Sequence, residues 1–417
     1  MTLTTWAGNY TYRAHRVLAP RTVEELQEVV AAAPRVRALG TRHCFNDLAD
    51  GPGVLVSLEG LDPGFTIDEA ARTVTVTGGT RYGTLARHLH AAGWAVHNLA
   101  SLPHISVAGA VATATHGSGD RSRNLSTAVA ALDLVGPDGE LRHVARGDDG
   151  FAGSVVALGA LGVAARVTLD VEPTFQVAQQ VHVDLPWTAA LDRFDDLTAS
   201  ADSVSLFTDW SGDTVQQVWR KSRVTDGHGV LRDDLFGARP ADGPRHPLPG
   251  IDPVSCTPQL GEPGPWHERI PHFRLEFTPS NGDELQSEYL VPRAHAVAAL
   301  AAVRELSSVV TPLLQVTEVR TVAADDLWLS TAYGDDRVGL HFTWKPLQPQ
   351  VEAVLPALEA ALAPFDARPH WGKLFADVDR DLARLYPRWD DFAALVARTD
   401  PDGVFRNDFV ERHVLPR

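Results

Sequence analysis

Only three of the 37 basic residues are lysines, Lys221, Lys345 and Lys373, in a chain of 417 residues whose formal net charge is −16. So acidic a chain lacks the clustered cations that nucleic acid or an anionic membrane requires, and neither is expected as a partner. Lysine this scarce is not serving general solubility. Each of the three is therefore worth attention, although a lysine is ordinarily solvated. Cysteine is confined to Cys44 and Cys256, with no CxxC, which excludes a disulfide framework and a zinc ribbon. No run approaches the length of a membrane span, and "MTLTTWAGNYTYRAHRV" has no apolar signal core. A cytoplasmic location is expected.

Several motifs are also missing. Without GxGxxG there is no support for a dinucleotide fingerprint, and Gly372-Lys373 lacks the upstream glycine and following Ser/Thr of a P-loop. No GxSxG or HExxH occurs. Nicotinamide dehydrogenases, P-loop NTPases, α/β-hydrolases and zincins drop out together.

What is present describes a globular protein, 44% apolar and 22% charged, long enough for two domains. Thr22 and Glu25 form a capping box before "VEELQEVVAAAP", and "RVRALG" reads as a strand running into the Gly40 loop. "GVLVSL" and the alternating "RTVTVTGG" are further strands, "TLARHLHAAG" a helix closed by Gly93, and "STAVAALDLVGPDGELRHV" a hairpin turning at Pro-Asp-Gly. "GVAARVTLDVEP" is expected to be a long buried strand. Beyond residue 173 the texture changes to aromatic-bearing strands ("SVSLFTDW", "VQQVWRK", "HFRLEFTP", "SEYLVP", "GLHFTWKP"). A Pro/Gly/Asp-rich connection, 224–268, lies among them, with helices near "RAHAVAALAAVRELSSVV" and "VEAVLPALEAALAPF". The reading is α+β: a first domain over 1–173, a second with antiparallel sheet over 174–375, and a segment 376–417 packing back on the first.

The candidate chemistry lies in four places. "GTRHCFND" sets His43 between Arg42 and Cys44; a solvated loop residue, a metal ligand and a nucleophile are all open there. His43, His97, His104 and His116 match no compact metal motif, and no metal is expected. "NLASLPHISVAGAVATATHGSG" packs small residues densely enough for backbone to lie against a flat or phosphorylated ligand, or simply to pass beneath a sheet. "QVTEVRTV" places Glu318, Arg320 and Val316 on one strand face with Val319 opposite; "GLHFTWKP" does the same for His341 and Thr343, and "RPHWGKLF" adds His370 and Lys373. A surface ion pair is the ordinary reading of each pair alone. Converging in apolar, aromatic surroundings, the set points to a small-molecule site.

Those stretches, with Thr5-Trp6-Ala7-Gly8-Asn9, "GALGV", "PGPWHERIPHFRLEFTPS", "TEVRTVAADDLWLS" and "DPDGVFRNDFV", resemble the alditol oxidases of the vanillyl-alcohol-oxidase class of FAD enzymes over nearly the whole chain. The aldonolactone oxidoreductases are close relatives. The resemblance implies a PCMH-type FAD-binding domain plus an α+β cap, with His43 bonded covalently to the flavin 8α-methyl. It implies that Gly40, Thr41, Arg42, Cys44, Phe45 and Asn46 offer backbone N–H groups to the diphosphate. Ser101, Ser106, Gly109, Thr113, Ala114, Thr115 and His116 would line ribityl and diphosphate. Val163 would meet the adenine side, Thr343 and His370 the flavin, and Ala100 would leave room for dioxygen. Ser101, Glu318, Arg320, His341 and Lys373 would bind the polyol, the last four acting catalytically with His341 as proton acceptor. Cys44 departs from the Ser common in this loop. It is read as a buried bystander, with one covalent bond expected.

The implied reaction takes hydride from C1 of an alditol such as xylitol or sorbitol to flavin N5, giving the aldose, and dioxygen returns as hydrogen peroxide. Polyol and dioxygen are the expected partners, and the chain a monomer. The rivals are an aldonolactone oxidase or dehydrogenase, a flavin- or polyol-binding protein without turnover, and an acidic scaffold.

Overall fold

Alternation of Thr and Val makes Thr73–Thr77 a strand with Val74 and Val76 sealed in the core. It pairs antiparallel with Val163–Asp170, and that with Val129–Val135; Thr66–Asp68 and Leu141–Ala145 complete a five-stranded sheet. The Pro-Asp-Gly turn closes the last hairpin with Gly139 at φ +80°. Val163–Asp170 is not buried throughout, as expected from its composition, but buries every second residue. An antiparallel sheet packs one face on its core, and this strand follows that period.

The computed structural model describes residues 3–224, 235–277, 283–376 and 382–415. Beside the first sheet lies a smaller parallel one, Arg16–Leu18, Val54–Ser57 and Val36–Leu39, with Val54–Ser57 central. The helix Val23–Ala32 begins as its capping signal requires: Thr22 Oγ1 accepts from the Glu25 N–H. The Glu25 carboxylate reaches back one residue further, to the Arg21 N–H. Because the strands are parallel, their carboxyl ends share an edge, and Leu39 delivers the chain there into the Gly40 loop.

From Gln176 onward the chain builds a nine-stranded antiparallel sheet. Its centre runs Thr214–Arg223, Ser203–Thr208, Leu314–Val322, Arg337–Trp344, Leu285–Pro292. The helices Ala296–Glu305 and Gln348–Leu362 cover one face, where Leu300, Val303, Leu355 and Leu358 pack on Val319, Leu340 and Phe342. Period two sends the residues between them to the opposite face, which carries the polar groups. "HFRLEFTP" is not a strand among the described residues, which stop at Phe277; its one ladder contact is a bridge between Phe273 and Cys256. Part of the expected connection 224–268, residues 225–234, lies outside the described residues; the remainder is no free linker, since Arg239–Pro240 and Gly264–Pro265 both pair with Gln176–Pro186.

The chain then returns to the first sheet. Phe392, Val396 and Phe409 share a core cluster with Leu85, Val111 and Val167. The Asn407 amide donates to the carbonyls of Leu48 and Asp50 at 2.9 and 2.7 Å, and buried Arg37 donates to Phe405 O at 2.8 Å.

Candidate active site

Past Leu39 the loop turns through Arg42 in the left-handed region, φ +64°, which the Trp6 N–H stabilises by donating to the Arg42 carbonyl at 2.8 Å. Trp6 stacks on the His43 ring at 5.2 Å. His43 Nδ1 lies 3.1 Å from Thr41 Oγ1, whereas its Nε2 is buried with no protein partner. Burial, helped by the nearby His104, pushes the His43 pKa down to about 4, so the ring is neutral. Ser106 Oγ is a second buried atom without a partner. Around it the backbones run close: a Cβ on Gly40 or Gly109 would lie 2.7 or 2.8 Å from that oxygen, and one on Gly78 only 2.1 Å from Ala164 O.

The opposite wall of the same cavity is the polar face of the large sheet. In register, Glu318, His341 and Glu288 stand abreast on three adjacent strands, with Val316, Thr343 and Gln286 in the next row. Glu288 sits at the centre, 1% exposed. It binds Arg320 Nη2 and Lys373 Nζ at 2.6 Å each, with His116 Nε2 at 3.2 Å and His341 Nδ1 at 3.4 Å. Arg320 reaches it across Gly339, where a Cβ would come within 3.0 Å of Glu288 Oε1. Burial alone would raise the Glu288 pKa; Arg320 and Lys373 outweigh it and hold the carboxyl well below the usual range.

The cations respond in turn. Burial pushes Lys373 down to about 8 against the support of Glu288, and burial with the Lys373 charge takes His341 to about 4. Lys373 Nζ is 2.5 Å from His341 Nδ1, and His341 Nε2 is 3.2 Å from Thr343 Oγ1. Glu318 is held chiefly from the other side, its Oε1 accepting from His272 Nε2 at 2.8 Å, while its Oε2 is 3.8 Å from Arg320 Nε. Despite burial, Arg320 and His272 keep it ionised well below the carboxylate norm.

The two walls are tied together. The Phe45 N–H donates to Gly372 O at 2.8 Å, and the Asn46 amide to Trp371 O and Lys373 O at 2.8 and 2.9 Å. The loop bearing His43 thus fixes the turn bearing Lys373.

Residues 14–145 match a family described as FAD binding domain, and residues 282–413 one described as D-arabinono-1,4-lactone oxidase. An alditol oxidase from a Streptomyces species is 51% identical, with 98% of each chain covered. The chain belongs to the vanillyl-alcohol-oxidase flavoprotein family, among the alditol oxidases. An L-gulono-1,4-lactone dehydrogenase from Mycobacterium tuberculosis is 30% identical over 99% of this chain and 98% of its own. A crystal structure of cholesterol oxidase from B. sterolicum superposes with TM-score 0.80, covering 100% of this chain and 96% of that one, at 16% identity; that likeness is one of fold.

This flavoprotein's cavity fits FAD. The glycines admit a flat group against bare backbone, and His43 Nε2 and Ser106 Oγ are buried polar atoms facing no protein partner. Of the residues the family resemblance assigned to the cofactor, Gly40, Thr41, Arg42, His43, Cys44, Phe45, Ser101, Ser106, Gly109, Thr113, Thr115, His116, Thr343 and His370 line it, with Ala100. Three do not. Asn46 lies just outside the lining, its side-chain amide holding the lysine turn, which leaves aside the backbone N–H that the resemblance assigned. Ala114 is wholly buried in its φ +54° turn, and Val163 packs into the cluster with Val36 and Val135 on the far side of the sheet. Phe45 lines the cavity, but its N–H is spent on Gly372 O and cannot serve a diphosphate. Burial pushes the Cys44 thiol up to about 11, as befits a bystander and not a thiolate nucleophile. His97 and His104 turn elsewhere, toward the carbonyls of Arg123 and Leu275.

Two further site residues, Glu288 and His272, do not stand out in the sequence reading. The signal for Glu288 is "QSE", in which Gln286 and Glu288 share a strand face ahead of an apolar "YLVP".

Proposed function

We propose that this protein oxidises the terminal primary alcohol of an alditol such as xylitol or sorbitol to the aldose, with dioxygen as acceptor and hydrogen peroxide as second product. The observation that carries the reading is the Arg320–Glu288–Lys373 arrangement beside the cofactor cradle: two buried cations, fixed by one carboxylate, facing a cavity. Bound FAD supplies the hydride acceptor and passes the electrons to dioxygen.

The chain's own residues do the rest. Ionised Glu318 accepts a hydrogen bond from a substrate hydroxyl. Arg320, immobilised by Glu288, faces the C1 oxygen as negative charge grows there. The hydroxyl proton passes to the Lys373–His341 pair, whose facing nitrogens lie 2.5 Å apart, when both are neutral. We place the proton on this pair and not on His341 alone, as read from sequence, a choice supported by Lys373 lying against Nδ1 and Thr343 against Nε2. The amine form of Lys373, reached above about pH 8, takes the proton and becomes an ammonium paired with Glu288. Neutral His43, with Nε2 open, is the covalent tether, and Ala100 the small residue beside which dioxygen approaches. A cytoplasmic monomer divided at 173/174 and 375/376 completes the proposal.

Aerobic turnover of xylitol, sorbitol and a γ-lactone, followed by peroxide release, tests this reading. Polyols should be preferred, kcat/KM should rise through about pH 8, and the acid-precipitated protein should be yellow. Preference for the lactone would favour the aldonolactone reading, which the match over 282–413 supports. A colourless pellet would remove the covalent bond, and a limb that falls above pH 8 would make Lys373 a cationic stabiliser.

A further inference from the structure

Lys221 stands behind the cavity wall on Thr214–Arg223, 2% exposed. All three of its N–H groups are engaged: Ile270 O at 2.5 Å, Pro271 O at 3.2 Å and His272 Nδ1 at 3.0 Å. None of these partners is a carboxylate. Burial pushes Lys221 down to about 7; below that it is an ammonium with no lone pair, so His272 Nδ1 is the acceptor and the ring proton sits on Nε2. That N–H points at Glu318 Oε1, 2.8 Å away. The ring has no freedom to turn. The His272 and Phe273 N–H groups both donate to Ser101 O, at 3.1 and 3.3 Å, and the rings of Trp219 and Phe207 stand edge-on at 5.1 and 5.5 Å.

We propose that Lys221 is a positioning residue for substrate binding: by occupying His272 Nδ1 it keeps that imidazole neutral, so that Glu318 retains its negative charge and its Oε2 for a substrate hydroxyl. A second proton on His272 would have to enter at Nδ1, and the Lys221 ammonium already fills that direction. The charged groups facing His272 are Lys221, Glu318 and Arg320, and the Cys256 thiol near Lys221 is pushed by burial to about 12 and stays uncharged. Burial and the Lys221 charge accordingly hold His272 near 4. Were Nδ1 vacated, the ring would take up a proton beside a carboxylate, and an imidazolium would neutralise the charge that the polyol needs.

This inference rests on the alditol reading, and its test separates the two. Holoenzymes carrying Lys221→Met, His272→Gln and both substitutions are compared with wild type for flavin content and for kcat and KM on xylitol, at pH 6 and pH 8.5. The Lys221→Met enzyme should show a KM at pH 6 raised about tenfold over wild type, a smaller rise at pH 8.5, and kcat within about threefold, as for the loss of one charge-assisted contact. Glutamine at 272 can accept from Lys221 and donate to Glu318 without titrating, so the His272→Gln enzyme should have a flat KM, and in its background Lys221→Met should lose its pH dependence. A Lys221→Met defect equal at both pH values and undiminished in the His272→Gln background overturns the proposal. Nitrogen-15 NMR of histidine-labelled wild-type holoenzyme gives a readout independent of whether the lysine variant folds. The His272 signals, assigned by their loss in His272→Gln, should report the neutral Nε2–H form at pH 6, where Lys221 is an ammonium, and a protonated ring at pH 6 refutes it. Failure of the wild type to turn over xylitol would sink the alditol reading alone, leaving the NMR measurement to decide the state of His272.

Discussion

Glu288→Gln isolates the charge at the centre of the site while keeping its shape. The amide keeps a single acceptor oxygen, so only one of the 2.6 Å contacts, Arg320 on Oε1 or Lys373 on Oε2, survives as a hydrogen bond, while its NH2 faces the other cation and both lose their electrostatic compensation. Two buried cations are then left without their anion, a change that costs about 3 kcal/mol at the lower end for a broken buried pair. Thermal unfolding of the holoenzyme, followed by flavin fluorescence, should come at least about 5 °C earlier. The catalytic readout has a definite sign. Glu288 supports the Lys373 ammonium against burial, so without it the amine form appears at lower pH. The rising limb of kcat/KM should move from about pH 8 downward by about one unit or more, each unit being ~1.4 kcal/mol of lost interaction. A lower maximum should accompany the shift, since Arg320 loses its fixed position. A limb still at pH 8 with an unchanged melting profile would show that Glu288 does not set the charge state of Lys373.

Asn46→Ala removes two hydrogen bonds to the turn carrying Lys373, about 2 kcal/mol in all. It should lower kcat/KM for xylitol by about tenfold or more with bound flavin retained, measured by peroxide release against flavin absorbance. Gly78→Ala drives a Cβ to 2.1 Å from the Ala164 carbonyl, a rigid partner, and should cut the yield of flavin-loaded protein sharply; normal loading would show that the strand can yield there. On acidification, buried His272 and His341 stay neutral to about 4, whereas the unfolded chain protonates its histidines from about 6.5 downward. Stability is therefore lost as pH falls below 6.5, about 2 kcal/mol per ring by pH 5. Below about 4.5 the depressed Glu288 and Glu318 add to the loss, because the unfolded carboxylates protonate first. Urea titrations at pH 7.5 and 5 should display the difference.

Local signals carried most of the fold. The Thr22 cap, the Thr/Val alternation of Thr73–Thr77 and the Pro-Asp-Gly turn each act within a few residues, and each folds as its chemistry requires. "HFRLEFTP" failed because an aromatic-rich run has the composition of a strand, while Phe273 finds only a single bridge to Cys256. The same division holds at the site. Glu318 with Arg320, and His341 with Thr343, were legible because period two sets them on one face. Glu288 belongs to a third strand, 32 residues from Arg320 and 85 from Lys373 in sequence, and nothing local announces that it lies between them. Val163 was assigned to the cofactor by resemblance alone, and the strand period sends its side chain into the core. Lysine scarcity did single out Lys221, though its partner His272 lies 51 residues on and nothing local connects the two.

The anchoring of the flavin loop from behind bears on how the protein is made. Asn407 and Phe405 hold Leu48, Asp50 and Arg37, residues that flank the turn carrying His43. On the ribosome that turn emerges early, while the residues that hold its flanks arrive some 360 positions later, and the first domain cannot complete its own core alone. A complete flavin site therefore exists only after residues 405–407 have been made. Until then the half-built site stands with its glycine-lined backbone open, so the yield of holoenzyme should depend on flavin being present during assembly as well as on the affinity of the finished pocket.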